Sequence, residues 1–166
     1  LDGEADMEIR WGHGEWPGLI SQRLTWDKLV PVCSPELMEK SPLLEPEDLV
    51  NHPLLHVIGY EEGWGYWLNI MGVDNVDSSV GMQFDTLVST LRMAELGQGV
   101  ALARSSMVEN MLNEGKLVAP FGQPFRKGIE ASESFYLVRR SGAELHGAAV
   151  VFFDWLVRQA HLAKNS

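Results

Sequence analysis

One cysteine, Cys33, is all that this 166-residue chain carries, so no internal disulfide can form and the fold has to rest on a hydrophobic core. Set within Leu29-Val30-Pro31-Val32-Cys33, that cysteine reads as a small buried hydrophobe. Long apolar runs are missing as well, and none approaches the roughly 20 residues of a membrane-spanning helix. The first residues, Leu1-Asp2-Gly3-Glu4, lack the basic and apolar regions of a signal peptide, so a cytoplasmic setting without membrane contact is expected. Basic residues are few. Thirteen Lys and Arg against 23 Asp and Glu give a net charge of -10, which disfavours contact of these residues with a phosphate backbone. That exclusion does not reach a neighbouring DNA-binding domain.

Catalytic signatures are absent too. There is no G-x-S-x-G, and no base is suggested near Cys33. Gly12, Gly14 and Gly18 do not form a dinucleotide fingerprint, because the position a third glycine would need is Pro17. His52 and His56 are four apart, but Pro53 intervenes and a strand starts at Leu54, so they do not share a helical face as a zinc pair must. The many carboxylates are unpatterned, as on a solvated face. No enzymatic activity, metal or cofactor is expected, which leaves reversible binding.

What is present is the composition of an ordinary globular domain, 45% hydrophobic and 22% charged, without internal repeat or low-complexity run. Its organising stretch runs from Ser79 to Phe121. Val80-Gly81-Met82-Gln83-Phe84 reads as a strand, and after Asp85-Thr86 the apolar residues Leu87, Val88, Leu91 and Ala94 take helical spacing. Gly97-Gln98-Gly99 stops that helix before Val100-Ala101-Leu102-Ala103, an apolar run suited to a strand covered on both faces. Ser106 and Glu109 have capping-box spacing before Met107, Val108, Met111 and Leu112, and Gly115 precedes a further strand, Leu117-Val118-Ala119. This β-α-β-α-β order predicts a parallel sheet, with ligands bound outside the carboxyl ends of its strands. Asp85 or Thr86 is expected to cap the helix that follows, a role compatible with ligand contact.

Elsewhere, Asp6-Met7-Glu8-Ile9-Arg10 alternates like a strand with one wet face, and a loop carrying Trp11 and Trp16 follows. Leu29 to Cys33 is a second strand, and Ser34-Pro35 opens a short helix. Glu47-Asp48-Leu49 looks like one helical turn before the strand Leu54-Leu55-His56-Val57. Trp64, Trp67, Leu68 and Met71 form one apolar stripe on a helix ended by Gly72. Gln123 to Ser132 is polar and loop-like, and Phe135-Tyr136-Leu137-Val138 is another strand. Ala149, Phe152, Phe153, Leu156, Val157 and Ala160 keep helical period along a final helix.

In this order, Asp6 to Leu19, Leu29 to Pro35, Leu54-Leu55-His56, Trp67-Leu68, Phe84-Asp85, Gly97 to Leu102 and Phe153-Asp154-Trp155-Leu156 resemble the effector-binding domain of LysR-type transcriptional regulators. The resemblance covers essentially the whole chain and is closest to the branch of the glycine-cleavage activator and the β-lactamase regulator. It implies an α/β, periplasmic-binding-protein-like (type 2) fold of two lobes, with an effector in the cleft. Lobe one would be 1-33 plus 122-166 and lobe two 34-121, the chain crossing near Cys33-Ser34 and Pro120-Phe121. The family also has an N-terminal winged helix-turn-helix with no counterpart in this sequence, and its effector domain begins upstream of the match to Asp6-Arg10. Lobe one is thus expected to be incomplete at its N-terminus, and DNA to be contacted only through the missing domain.

The expected function is effector sensing by a bacterial, homo-oligomeric regulator, with a small metabolite, expected to bear a carboxylate, controlling DNA binding by the full-length protein. A solute-binding protein of a transporter is the alternative with the same fold. A transferase is a third reading, which the lack of a nucleophile or acid/base pair disfavours. Candidate ligand residues lie at strand ends and crossings: Arg10, Trp11, Ser34, His56, Phe84, Asp85, Thr86, Ala103, Arg104 and Phe135. Two readings stand side by side for several of them. Arg10 and Arg104 are either cleft cations or partners in surface ion pairs, and His56 is either a ligand contact or a satisfied strand-end histidine.

Overall fold

Glu8 and Arg10 alternate with Ile9 and Trp11 along β1 (Glu8–Gly12), which pairs antiparallel with β8 (Ser134–Arg140), setting Arg10 opposite Tyr136 and Trp11 opposite Phe135. A computed structural model describes residues 5–121 and 129–164, which fall into two compact units, one within Leu1–Asp27 and Ala131–Ser166, the other within Lys28–Glu130.

In the first unit β2 (Leu19–Arg23) pairs with the other edge of β8, giving an antiparallel sheet of order β1-β8-β2. The alternation of β1 is as expected, but its sense is reversed. Ile9 and Trp11 are the exposed residues, while Glu8 and Arg10 are half-buried and paired with each other. Leu137 and Val138 of β8 are fully buried. The last helix, α5 (Ala148–Lys164), has the expected period, and Ala149, Phe153, Leu156 and Val157 are half-buried with Ala160 buried. Phe152, expected on that face, is instead exposed beside Trp155. The end of α5 meets Trp26, whose ring stands edge-on to His161 and under the Lys164 ammonium, 4.7 Å from its centroid.

The second unit contains β3 (Lys28–Val32), α1 (Pro35–Lys40), a 3-10 turn (Pro46–Asn51), β4 (Leu54–Val57), α2 (Trp64–Met71), β5 (Met82–Phe84), α3 (Leu87–Glu95), β6 (Val100–Arg104), α4 (Ser105–Asn113) and β7 (Ile129–Glu130). Its sheet has the order β5-β4-β6-β3-β7, and β4 is parallel to both neighbours while β3 is antiparallel to β6 and β7. The parallel part is the expected one, but the sheet as a whole is mixed. Leu117-Val118-Ala119 does not extend it. That stretch makes only an antiparallel bridge between Val118 and Cys33, since Pro120 immediately after has no N–H to continue a ladder. This unit includes β3 and β7, which hydrogen-bond into its sheet at its two ends in sequence.

Val32, Leu55, Leu87, Leu91, Ala94, Ala101, Ala103, Val108 and Leu117 make a core that seals α3 and α4 onto the sheet. Trp64 and Trp67 anchor α2 beside it. Both rings are buried, the Trp64 indole donates to the Leu55 carbonyl at 3.1 Å, and Trp67 stacks on Phe121. Two glycines let β5 and β6 lie close against the start of β4. A Cβ on Gly81 would stand 2.1 Å from the Leu54 carbonyl oxygen, and one on Gly99 would stand 2.3 Å from that of Pro53.

Candidate functional site

Parallel strands bring their carboxyl ends to one edge, and here that edge belongs to β4, β5 and β6. Leu55 pairs with Met82 on one side and Ala101 on the other, so Phe84 and Ala103, two residues on in each strand, stand level. Two strand spacings put the ends of β5 and β6 about 10 Å apart. The loop 58–63 that leaves β4 comes out between them.

At the β5 end, Phe84 is half-buried, whereas Asp85 and Thr86 are exposed. Thr86 caps α3 as expected: its hydroxyl accepts the Ser89 N–H at 3.2 Å, and its carbonyl accepts from the Thr90 N–H and hydroxyl. At the β6 end Ala103 is buried in the core, where its methyl packs against protein. Arg104 is the residue that turns β6 into α4. It occupies the N-cap position and its side chain makes no cap hydrogen bond, so α4 starts at Ser105 and the Ser106/Glu109 box expected there does not define the helix start.

The Arg104 guanidinium is turned to the β4 loop instead. Its Nη2 donates to Glu62 Oε2 at 3.0 Å, with only 5% of Arg104 and 4% of Glu62 exposed, and its Cζ lies 5.9 Å from the centroid of the exposed Tyr60 ring. Arg104 is therefore in an ion pair, but a buried one rather than the surface pair weighed from the sequence. Glu62 was not among the expected site residues. Nothing local marks it, since its partner is 42 positions away.

The other candidates are distributed elsewhere. His56 sits on β4, yet its Nε2 lies 3.1 Å from the Val80 carbonyl, toward the amino end of β5 and away from the strand-end edge. Ser34 is 3% exposed, and its hydroxyl accepts from Leu37 N–H as the N-cap of α1. Arg10, Trp11 and Phe135 belong to the first unit. There Arg10 donates to Glu8 at 2.8 Å and faces the Trp16 ring, and Trp11 meets Phe135 edge-on at 4.8 Å. The strand-end edge thus gathers Phe84, Asp85, Thr86, Ala103 and Arg104 and adds Glu62 and Tyr60. A guanidinium, two carboxylates and two hydroxyls are groups for reversible polar recognition. Among the described residues no group of three or more His, Cys, Asp or Glu is placed to hold a metal ion, and no helix is long and apolar enough to cross a membrane.

A family model described as the LysR substrate binding domain matches residues 1–161. The glycine cleavage system transcriptional activator of Escherichia coli (strain K12) is 36% identical over 162 residues, which are 96% of this chain and 51% of that protein. The HTH-type transcriptional activator AmpR of Rhodobacter capsulatus is 34% identical over 155 residues, 93% of this chain and 50% of that protein. The chain spans about half the length of these relatives. Among solved structures, the effector domain of the transcriptional regulator AmpR of Pseudomonas aeruginosa superposes with a TM-score of 0.74 at 28% identity, covering 95% of this chain and 72% of that one. The α/β content and the mixed five-stranded sheet agree with the type 2 periplasmic-binding-protein-like fold of such domains.

Proposed function

Because the chain belongs to the LysR substrate-binding-domain family, we propose that it is the effector-sensing part of a transcriptional regulator, with DNA contacted through residues outside this chain. The observation that carries the reading is the meeting of a match over residues 1–161 with a strand-end edge bearing a buried arginine and an exposed helix start. The relatives' names as transcriptional activators favour this over a transporter's solute-binding protein.

The effector in this proposal is a small metabolite bearing a carboxylate. Backbone N–H groups at the start of α3 and the guanidinium of Arg104 both favour a negative group at this edge. Control follows from population shift: an effector moves the regulator between states only by its differential affinity for them. The chain crossings near Cys33-Ser34 and Pro120-Phe121 belong to the same proposal. In support, Cys33 and Val118 exchange backbone hydrogen bonds of 3.1 and 2.8 Å, which sets the two segments side by side.

The test is a thermal-shift and calorimetric panel of amino acids, short carboxylic acids and cell-wall peptides against matched neutral amides and amines. Binding of at least one carboxylate, lost in its amide, is the expected result. Binding only of neutral or cationic compounds contradicts the proposal.

A further inference from the structure

We infer that Glu62 is an internal stand-in for the effector's carboxylate, holding the Arg104 guanidinium until an external carboxylate takes its place. This rests on the proposed reading of the strand-end edge as the effector site and adds how that site is occupied before binding.

The argument begins with what the pair costs. Withdrawing both charges from water is expensive, and a buried ion pair is a weaker stabiliser than apolar groups of the same volume, so stability alone is a poor reason for Glu62 and Arg104 to be 4% and 5% exposed. Their positions supply a better one. Glu62 lies on the loop after β4 and Arg104 at the end of β6, two adjacent parallel strands whose carboxyl ends form the edge where open α/β sheets take ligands.

Exchange at this place conserves charge. A carboxylate that replaces Glu62 leaves the guanidinium paired, so the large penalty of a buried unpaired cation never arises. The loop is suited to that release. Gly59 opens it with φ +83, Tyr60 and Glu61 are exposed, and the indoles of Trp64 and Trp67 fix α2 immediately after it. Movement can stay within residues 58–63 while the helix behind remains seated. A neutral ligand could not make the exchange, which turns the pair into a selector for anions.

The experiment uses acetate as the probe on the full chain, wild type against Glu62→Gln and Glu62→Ala, with melting temperature followed at constant ionic strength in acetate or chloride. If Glu62 holds Arg104 in nine molecules of ten or more, removing its charge should tighten acetate binding by at least about tenfold, seen as saturable acetate-specific stabilisation of the variants. Adding Arg104→Gln should abolish it. Equal responses to acetate and chloride, or acetate stabilisation equal in wild type and variants, overturn the inference. So does failure of both single variants to fold, since Glu62 could then not leave its partner. A negative result here with a positive carboxylate panel rejects the stand-in while the effector-sensing reading survives, whereas a panel in which no carboxylate binds rejects that reading and the stand-in with it.

Discussion

The Thr86 hydroxyl accepts the Ser89 backbone N–H at 3.2 Å and also lies 2.8 Å from the Ser89 hydroxyl, so the start of α3 is held by its own sequence before any ligand arrives. A cap of this kind contributes about 1 kcal/mol. Thr86→Ala should therefore lower stability by about that amount. If the exposed helix start also meets effector, affinity for a bound carboxylate falls by more than stability does. Paired denaturation and binding curves separate the two, and unchanged affinity removes Thr86 from the site.

Cys33 has its side chain fully buried, and desolvation pushes its thiol up to about 11. Reactivity belongs to the thiolate, so the native protein should resist iodoacetamide at pH 8 and label fully once unfolded in guanidinium. Rapid labelling of the native form would show that the Cys33–Val118 bridge opens readily, since its two backbone hydrogen bonds hold this residue in place.

The 3-10 turn carries a pH dependence. Burial lowers the pKa of His52, which Asp48 raises again only in part, and His52 Nε2 lies 3.2 Å from the Ser41 hydroxyl. The folded state thus prefers neutral imidazole. Stability contributed here is complete above the ordinary histidine value of about 6.5 and falls as pH drops through it, until the folded form is itself protonated. Asp48 has the usual acidic sense: N–H groups of Leu44 and Glu45 donate to its carboxylate and lower its pKa, so its contribution is present above about 3.8 and is lost as pH falls through the lower folded value. Denaturation midpoints from pH 8 to pH 3 should show both slopes, with His52→Gln flattening the upper and Asp48→Asn the lower. A slope near pH 6 that survives His52→Gln assigns it to another group.

Elements with strong local signals were legible in the sequence. Ser34-Pro35 does open α1, Thr86 does cap α3, and Gly72, at φ +70, does end α2 behind the buried stripe of Trp64, Trp67 and Leu68. Elements made by distant pairing were not. β2 has no pattern of its own beyond Leu19 and Ile20 and exists through its ladder with β8, more than a hundred residues on. Alternation along Glu8-Ile9-Arg10 gives two faces without saying which is covered, and Trp11, expected in the loop that follows, continues β1 through its pairing with Phe135 of β8. At the site, the strand-end residues Phe84, Asp85, Thr86, Ala103 and Arg104 followed from topology alone. His56 did not join them, because its ring turns along the sheet to the Val80 carbonyl, and Glu62 could be found only once β4 and β6 were known to be neighbours.

The central claim, that effector binds at the carboxyl edge of β4, β5 and β6, is tested most directly by amide chemical shifts of the nitrogen-15-labelled chain titrated with a carboxylate from the panel. The account predicts changes concentrated at residues 58–63, at Asp85 to Leu87 and at Arg104 to Ser106. Changes confined to β1, β8 and α5, or the absence of any specific change with every carboxylate, would contradict it.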